Sequence, residues 1–196
     1  PVRMLAHSLF VLVAVTGIKL DWKSPPREAT ALSWRHAAAS LAPMTAVIAL
    51  LAVTGMRPGE AVRLRPGDIN AEDATLLIRA NKHGPDRLIP LHATTVDALA
   101  IYRTSSQRQA VAPSLEGPLF VTIRGKAYQR ATVEGHFQRI RAATGITWEG
   151  TPPCLVDLRH TFATRQMIRA YTNDAGNPAA TLGLLATWLG HSDPSH

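Results

Sequence analysis

Apolar residues recur at spacings of three and four from about Ala37 onward, where Leu41, Met44, Val47, Ile48 and Leu51 line one side of a helical projection. Thr54-Gly55 is expected to end that helix, because glycine takes the left-handed cap conformation without strain. Arg57 then falls in a tight junction, and Pro58 suits the first position of a short helix running through Leu64. Beyond the turn Arg65-Pro66-Gly67-Asp68 the pattern changes. Thr75 to Ala80 and Arg87 to Leu91 read as the two strands of a hairpin around His83-Gly84-Pro85-Asp86. A helix capped by Thr94 or Thr95 is predicted to reach about Gln109, and Ala112 to Pro118 reads as a loop. Pro118-Leu119-Phe120-Val121 is a short strand-like run, and Thr132 to Ala143 makes a basic helix.

In the last third, Asp157 is a good N-cap and no Gly or Pro interrupts Leu158 to Ala170, so a helix is predicted to start at Leu158. A polar loop follows from Thr172 to Ala180, and then Leu182, Leu184, Leu185, Trp188 and Leu189 form a mostly apolar helix stopped by Gly190. Residues 1–20 read as a helix and Lys23-Ser24-Pro25-Pro26-Arg27 as a linker. The predicted fold is mainly α with a small antiparallel β-sheet, an α+β arrangement. Its expected division is an N-terminal helix and linker over residues 1–36 and one larger unit over residues 37–196.

Composition narrows the function. A chain of 196 residues with 46% hydrophobic content supports one domain with a short appendage. The net charge of +7 favours a polyanionic partner or an acidic surface. The single Cys154 rules out a disulfide framework within the chain and suits a reducing cytoplasm. The apolar run from Leu9 to Val15 is too short to span a bilayer, and no membrane association is expected. The eight histidines are scattered without a His-Glu-x-x-His pattern, so metal chemistry is not expected; no small-molecule cofactor is expected either.

The chemistry concentrates in Asp157-Leu158-Arg159-His160-Thr161-Phe162-Ala163-Thr164. With residues about 100° apart, Arg159 falls between Phe162 and Ala163 on the arc of Met167 and Ala170. An arginine facing that arc is costly unless it meets an anion. A first helical turn, with unpaired N–H groups and the positive end of the dipole, would also favour one. A surface arginine in a frayed first turn is the competing reading. Arg57 likewise reads either as a surface ion pair with Glu60 or as a clamp fixed in a rigid junction.

Four boxes in order decide between these readings. Thr54-Gly55-Met56-Arg57-Pro58-Gly59-Glu60, then Asn81-Lys82-His83-Gly84-Pro85-Asp86-Arg87-Leu88-Ile89-Pro90-Leu91, then Leu158-Arg159-His160-Thr161-Phe162-Ala163-Thr164, then Leu189-Gly190-His191-Ser192 together resemble the tyrosine recombinase (phage integrase) signature. The resemblance covers residues 37–196 and implies a catalytic domain acting on double-stranded DNA, self-associating on it, in integration or transposition. It implies that Arg57 and Arg159 hold the non-bridging phosphate oxygens, that Lys82 is the general acid and that His191 supports phosphate and proton transfer. Arg130, Arg139, Arg141 and His160 are candidate DNA contacts, although the arginines also fit an ordinary solvated face.

Three departures from the family pattern stand out. The family's nucleophilic tyrosine, which forms a covalent 3'-phosphotyrosyl link, lies about nine residues after the histidine, whereas this sequence reaches His196 five residues after His191. Tyr102, Tyr128 and Tyr171 do not occupy that position, and the helix carrying the nucleophile is expected to be missing. Val156 stands three residues before Arg159, where the family usually has His or Lys. The family's common N-terminal DNA-clamping domain has no counterpart in the residues before Ala37. On these grounds the polypeptide is not expected to cleave DNA by itself, and the alternative is an inactive relative serving as a DNA-binding or protein-interaction module.

Overall fold

A computed structural model describes residues 31–79, 85–111, 114–143, 149–173 and 176–190. Helix α1 spans Ala31–Thr54 and α2 spans Pro58–Ala61. A single 3-10 turn, Pro66–Asp68, leads into strands β1 (Ile69–Asn70), β2 (Thr75–Ile78) and β3 (Arg87–Pro90). Helices α3 (Ala93–Thr104), α4 (Ser106–Val111), α5 (Arg130–Ala143), α6 (Leu155–Thr172) and α7 (Pro178–Leu189) complete the order. The strands form an antiparallel sheet in the order β1-β2-β3, with Leu76 opposite both Ile69 and Ile89.

The expected mainly helical fold with a small antiparallel sheet is therefore present. Met44, Val47, Ile48 and Leu51, the predicted apolar face of α1, are all buried in the main core with Leu76, Ile78 and Ile89 of the sheet. Each such side chain contributes about 1.5–3 kcal/mol of burial. Helix α1 packs against α3 and α6, and α6 packs against α7. A second cluster of Phe162, Leu185 and Leu189 joins α6 to α7. Trp188 stacks on Phe162, with ring centroids 5.9 Å apart, and its indole N–H donates to the Thr54 carbonyl at 2.8 Å. That bond ties the end of α7 to the end of α1.

Several boundaries differ from the sequence reading. Helix α1 begins at Ala31 rather than near Ala37, because the residues before Leu41 have helical propensity but carry no apolar periodicity. Helix α2 stops at Ala61 instead of Leu64. The cap of α3 is the His92 side chain, which accepts from the Thr94 N–H at 3.3 Å, and Ser105 splits the predicted long helix into α3 and α4. Val121 forms an isolated antiparallel bridge to Ala127 rather than a strand. Helix α6 starts at Leu155, one turn earlier than Asp157 implied. Asp157 acts from inside the first turn, its carboxylate accepting from the Cys154 N–H at 2.7 Å. The helix predicted over residues 1–20, the linker at 23–27, Lys82 and His191 all lie outside the described residues.

Candidate active site

The site forms where the junction after α1, the strand β3, helix α6 and the end of α7 converge. Gly55, at φ +65°, turns the chain out of α1, and its N–H closes the helix on the Leu51 carbonyl at 2.9 Å. A Cβ at Gly55 would lie 2.5 Å from Phe162 Cδ1, so the junction can pack against α6 only with glycine there. The turn places Arg57 at the N-cap of α2 and aims the Gly55 carbonyl at α6.

Arg159 receives that carbonyl. Its Nη1 donates to Gly55 O at 2.9 Å and its Nη2 to Leu189 O at 2.8 Å, so one guanidinium joins three segments distant in sequence. It is 8% exposed, as its helical arc predicted. Burial, with the Arg57 charge adding to it and Glu60 opposing, pushes its pKa down to about 10. The early start of α6 alters the reason an anion would come here. Arg159 sits in the second turn, where backbone N–H groups are committed to i−4 carbonyls, so the attraction belongs to side chains rather than to a helix terminus.

Arg57 converges on the same place. Its Nη1 donates to Leu189 O at 3.5 Å and to Glu60 Oε1 at 3.3 Å, and its Nη2 donates to Gly190 O at 3.4 Å. The two arginines thus share the Leu189 carbonyl although they stand far apart in the chain. Arg57 is loosely held and 47% exposed on its side chain, whereas Arg159 is locked. Glu60 is no surface partner: its side chain is 9% exposed, and Oε2 accepts from the Arg57 N–H at 2.8 Å and from Arg87 Nη2 at 2.7 Å. Burial alone would raise its pKa, but the Arg87 hydrogen bond, the Arg57 backbone bond and the two guanidinium charges together hold it below the ordinary value.

Arg87 was not singled out by the sequence reading. Its Nε donates to Trp188 O at 2.9 Å, so Arg87, Arg159 and Arg57 between them occupy the last carbonyls of α7. Strand alternation carries the signal that could have found it, since Arg87 shares a sheet face with buried Ile89 while Leu88 and Pro90 face outward. Among the described residues, three guanidinium groups thus meet at a single bonded carboxylate. Such an excess of partly desolvated positive charge favours an anion.

The remaining predicted residues are scattered. Val156, one turn before Arg159, is half-buried on α6 and offers no donor. His160 is exposed on α6, and Arg130 and Arg139 are exposed on α5. Arg141 donates through Nη1 to the Pro153 carbonyl, which ties α5 to the segment entering α6. Arg108 is buried in the wall of a cavity elsewhere, where it donates to the Leu119 and Pro118 carbonyls at 3.0 Å each. Tyr102 and Tyr128 are buried, and burial raises the pKa of both phenols. Tyr171 is exposed, but it stands twelve residues beyond Arg159, about 18 Å along the helix. None of the three is placed as a nucleophile at the arginine pair.

Comparison with known proteins fits this geometry. The sequence pattern of the Phage integrase family matches residues 30–196. The chain belongs to that family. A relative from Sinorhizobium fredii (strain NBRC 101917 / NGR234), which carries the name integrase/recombinase y4rE, is 36% identical over 183 residues, covering 87% of this chain and 58% of its own. Tyrosine recombinase XerC of Rhizobium meliloti (strain 1021) is 34% identical, covering 61% of this chain and 35% of its own. The fold matches XerH site-specific recombinase bound to difH substrate in a pre-cleavage complex, with a TM-score of 0.64, 23% identity and coverage of 96% and 47%. It also matches the lambda integrase catalytic core, with a TM-score of 0.55, 22% identity and coverage of 81% and 89%. This phage integrase family chain spans just over half the length of the relatives named y4rE and y4rB. Its three-stranded sheet and helical remainder are those of tyrosine recombinase catalytic domains.

Proposed function

We propose that the chain is the catalytic region of a site-specific recombinase that cuts and rejoins double-stranded DNA through a covalent 3'-phosphotyrosyl intermediate, in integration or transposition. The observation that carries this reading is the convergence of Arg57 and Arg159 on Leu189 O, where Glu60 is, among the described residues, the one carboxylate bonded to the arginine cluster. Two guanidinium groups so placed can each offer paired hydrogen bonds to non-bridging phosphate oxygens. A donor of this kind contributes on the order of 100-fold to 1000-fold in rate. Lys82 is assigned as general acid and His191 as a phosphate and proton-transfer partner by their places in the family signature. The nucleophile is assigned to a tyrosine outside these 196 residues. Residues 37–196 are taken as the catalytic unit and residues 1–36 as an appendage. Among structural relatives, lambda integrase is described as a tetramer bound to a Holliday junction, which supports self-association on DNA. No helix among the described residues is long and apolar enough to cross a membrane. A cytoplasmic location is proposed from the DNA chemistry of the reading alone.

Val156 favours a second reading, a catalytically silent module that binds DNA or a protein partner. A nicked duplex that lets the downstream strand escape separates the two. The duplex is incubated with this chain and with the product of its reading frame continued past the codon for His196. A denaturation-resistant adduct with the continued product, lost on Arg159→Ala, is expected for the recombinase. Salt-sensitive binding without an adduct in either case, or a stop codon directly after His196, would favour the silent module.

A further inference from the structure

We propose that Arg87 is a positioning residue of this site: by binding Oε2 of Glu60 closely it draws that carboxylate away from the Arg57 guanidinium, leaving the guanidinium loosely held and able to turn to a phosphate. The assignment rests on the recombinase reading, in which Arg57 meets DNA.

Three observations carry it. Glu60 stands three residues after Arg57 and would ordinarily form a local ion pair with it. The bond from Arg87 Nη2 is nevertheless the short one, 2.7 Å, against 3.3 Å from Arg57 Nη1. The Arg57 guanidinium is left with contacts of 3.3–3.5 Å, only its backbone N–H being close to Glu60, while Arg87, 12% exposed, is held on both edges by Glu60 and by Trp188 O. A planar fork can serve a carboxylate and a carbonyl together, which a lysine ammonium on a flexible stem does less well. Gly190 completes the arrangement. At φ +67° it ends α7, and a Cβ there would stand 2.9 Å from Arg87 Nη1, so the absence of a side chain lets Arg87 lie across the helix end. Without Arg87, Glu60 would remain a buried carboxylate with the Arg57 guanidinium already 3.3 Å from its other oxygen. The pair would then close, and Arg57 would be withdrawn from any phosphate.

The test measures affinity for a short random-sequence duplex as a function of salt, using the 196-residue chain. Neutralising one phosphate contact lowers the slope of log affinity against log salt by about 0.9. Arg57→Met is expected to cost about tenfold and that unit of slope in the wild type, but little once Arg87→Met is present, because Arg57 is then already committed. Glu60→Gln added to Arg87→Met is expected to restore both affinity and the cost of Arg57→Met. Equal costs of Arg57→Met in the two backgrounds would overturn the assignment. Should Arg87→Met not fold, Arg87→Lys decides: it keeps a cation on Glu60 and is expected to keep the slope, and a folded Arg87→Lys without it would equally overturn the idea. A wild-type chain with no salt-dependent DNA affinity would instead remove the recombinase reading, and this assignment with it.

Discussion

The anion-clamping role proposed for Arg159 will not be separated cleanly from its structural one by a single substitution. Its guanidinium satisfies the Gly55 and Leu189 carbonyls, so its removal leaves two acceptors without their donor. Arg159→Lys keeps a charge but reaches only one of the carbonyls, and we expect it to lower the unfolding free energy by about 1–3 kcal/mol in urea titration. Loss of the adduct on Arg159→Ala therefore needs this stability measurement beside it. Glu60 has its own pH signature. Its folded pKa lies below the ordinary 4.5, so the stability it contributes is complete above that value and is lost as pH falls through the folded pKa. Glu60→Gln should therefore flatten the acid limb of thermal stability below about pH 4.5. An unchanged acid limb in the variant would show that the Arg87–Glu60 pair contributes nothing on folding.

The elements hold these residues through their ends rather than their middles. The close of α1 and the close of α7 are bound to each other by Trp188 Nε1 on Thr54 O, and the arginines fill the carbonyls that remain. Gly55→Ala should be among the most damaging small changes, because its added methyl would meet the Phe162 ring and Leu189 and its φ is positive. A loss of more than about 1 kcal/mol in a denaturant titration is expected. Trp188→Phe keeps the stacking ring but loses the indole donor and should cost about 1 kcal/mol. The same geometry explains what was legible beforehand. The apolar stripe of Met44, Val47, Ile48 and Leu51 fixed α1 by its period, and the inward arc of Arg159 followed from position within a helix. The caps were harder to read. Asp157 can cap from the N-cap or from the third helical residue, and only the backbone shows which. The Arg87–Glu60 bond joins β3 to α2 across 27 residues, a pairing that no local pattern encodes.

At the scale of the whole chain, the charge of +7 states an appetite for polyanions but not which surface meets them. On the proposed recombinase reading the arginine cluster is one end of that surface. The rest depends on α5, where helical geometry divides the candidates. Arg130 and Arg139 are nine residues apart, about 180° around the helix, whereas Arg130 and Arg141 share a side. Arg141 is occupied in part by the Pro153 carbonyl, so its replacement would disturb the entry to α6 and confound any binding measurement. Arg130 and Arg139 are exposed and suited to a clean comparison. A rigid duplex lying along one side of α5 can engage one of them directly and the other only through its long-range field, which salt screens over about 10 Å. Arg130→Ala and Arg139→Ala should therefore differ: one is expected to lower the salt slope of DNA affinity by about 0.9, and the other to leave it nearly unchanged. Neither should shift the melting temperature by more than a degree or two, because both side chains are exposed. Equal losses of slope would mean that DNA wraps the helix rather than passing beside it. No loss in either would take α5 out of the interface and leave binding to the arginine cluster.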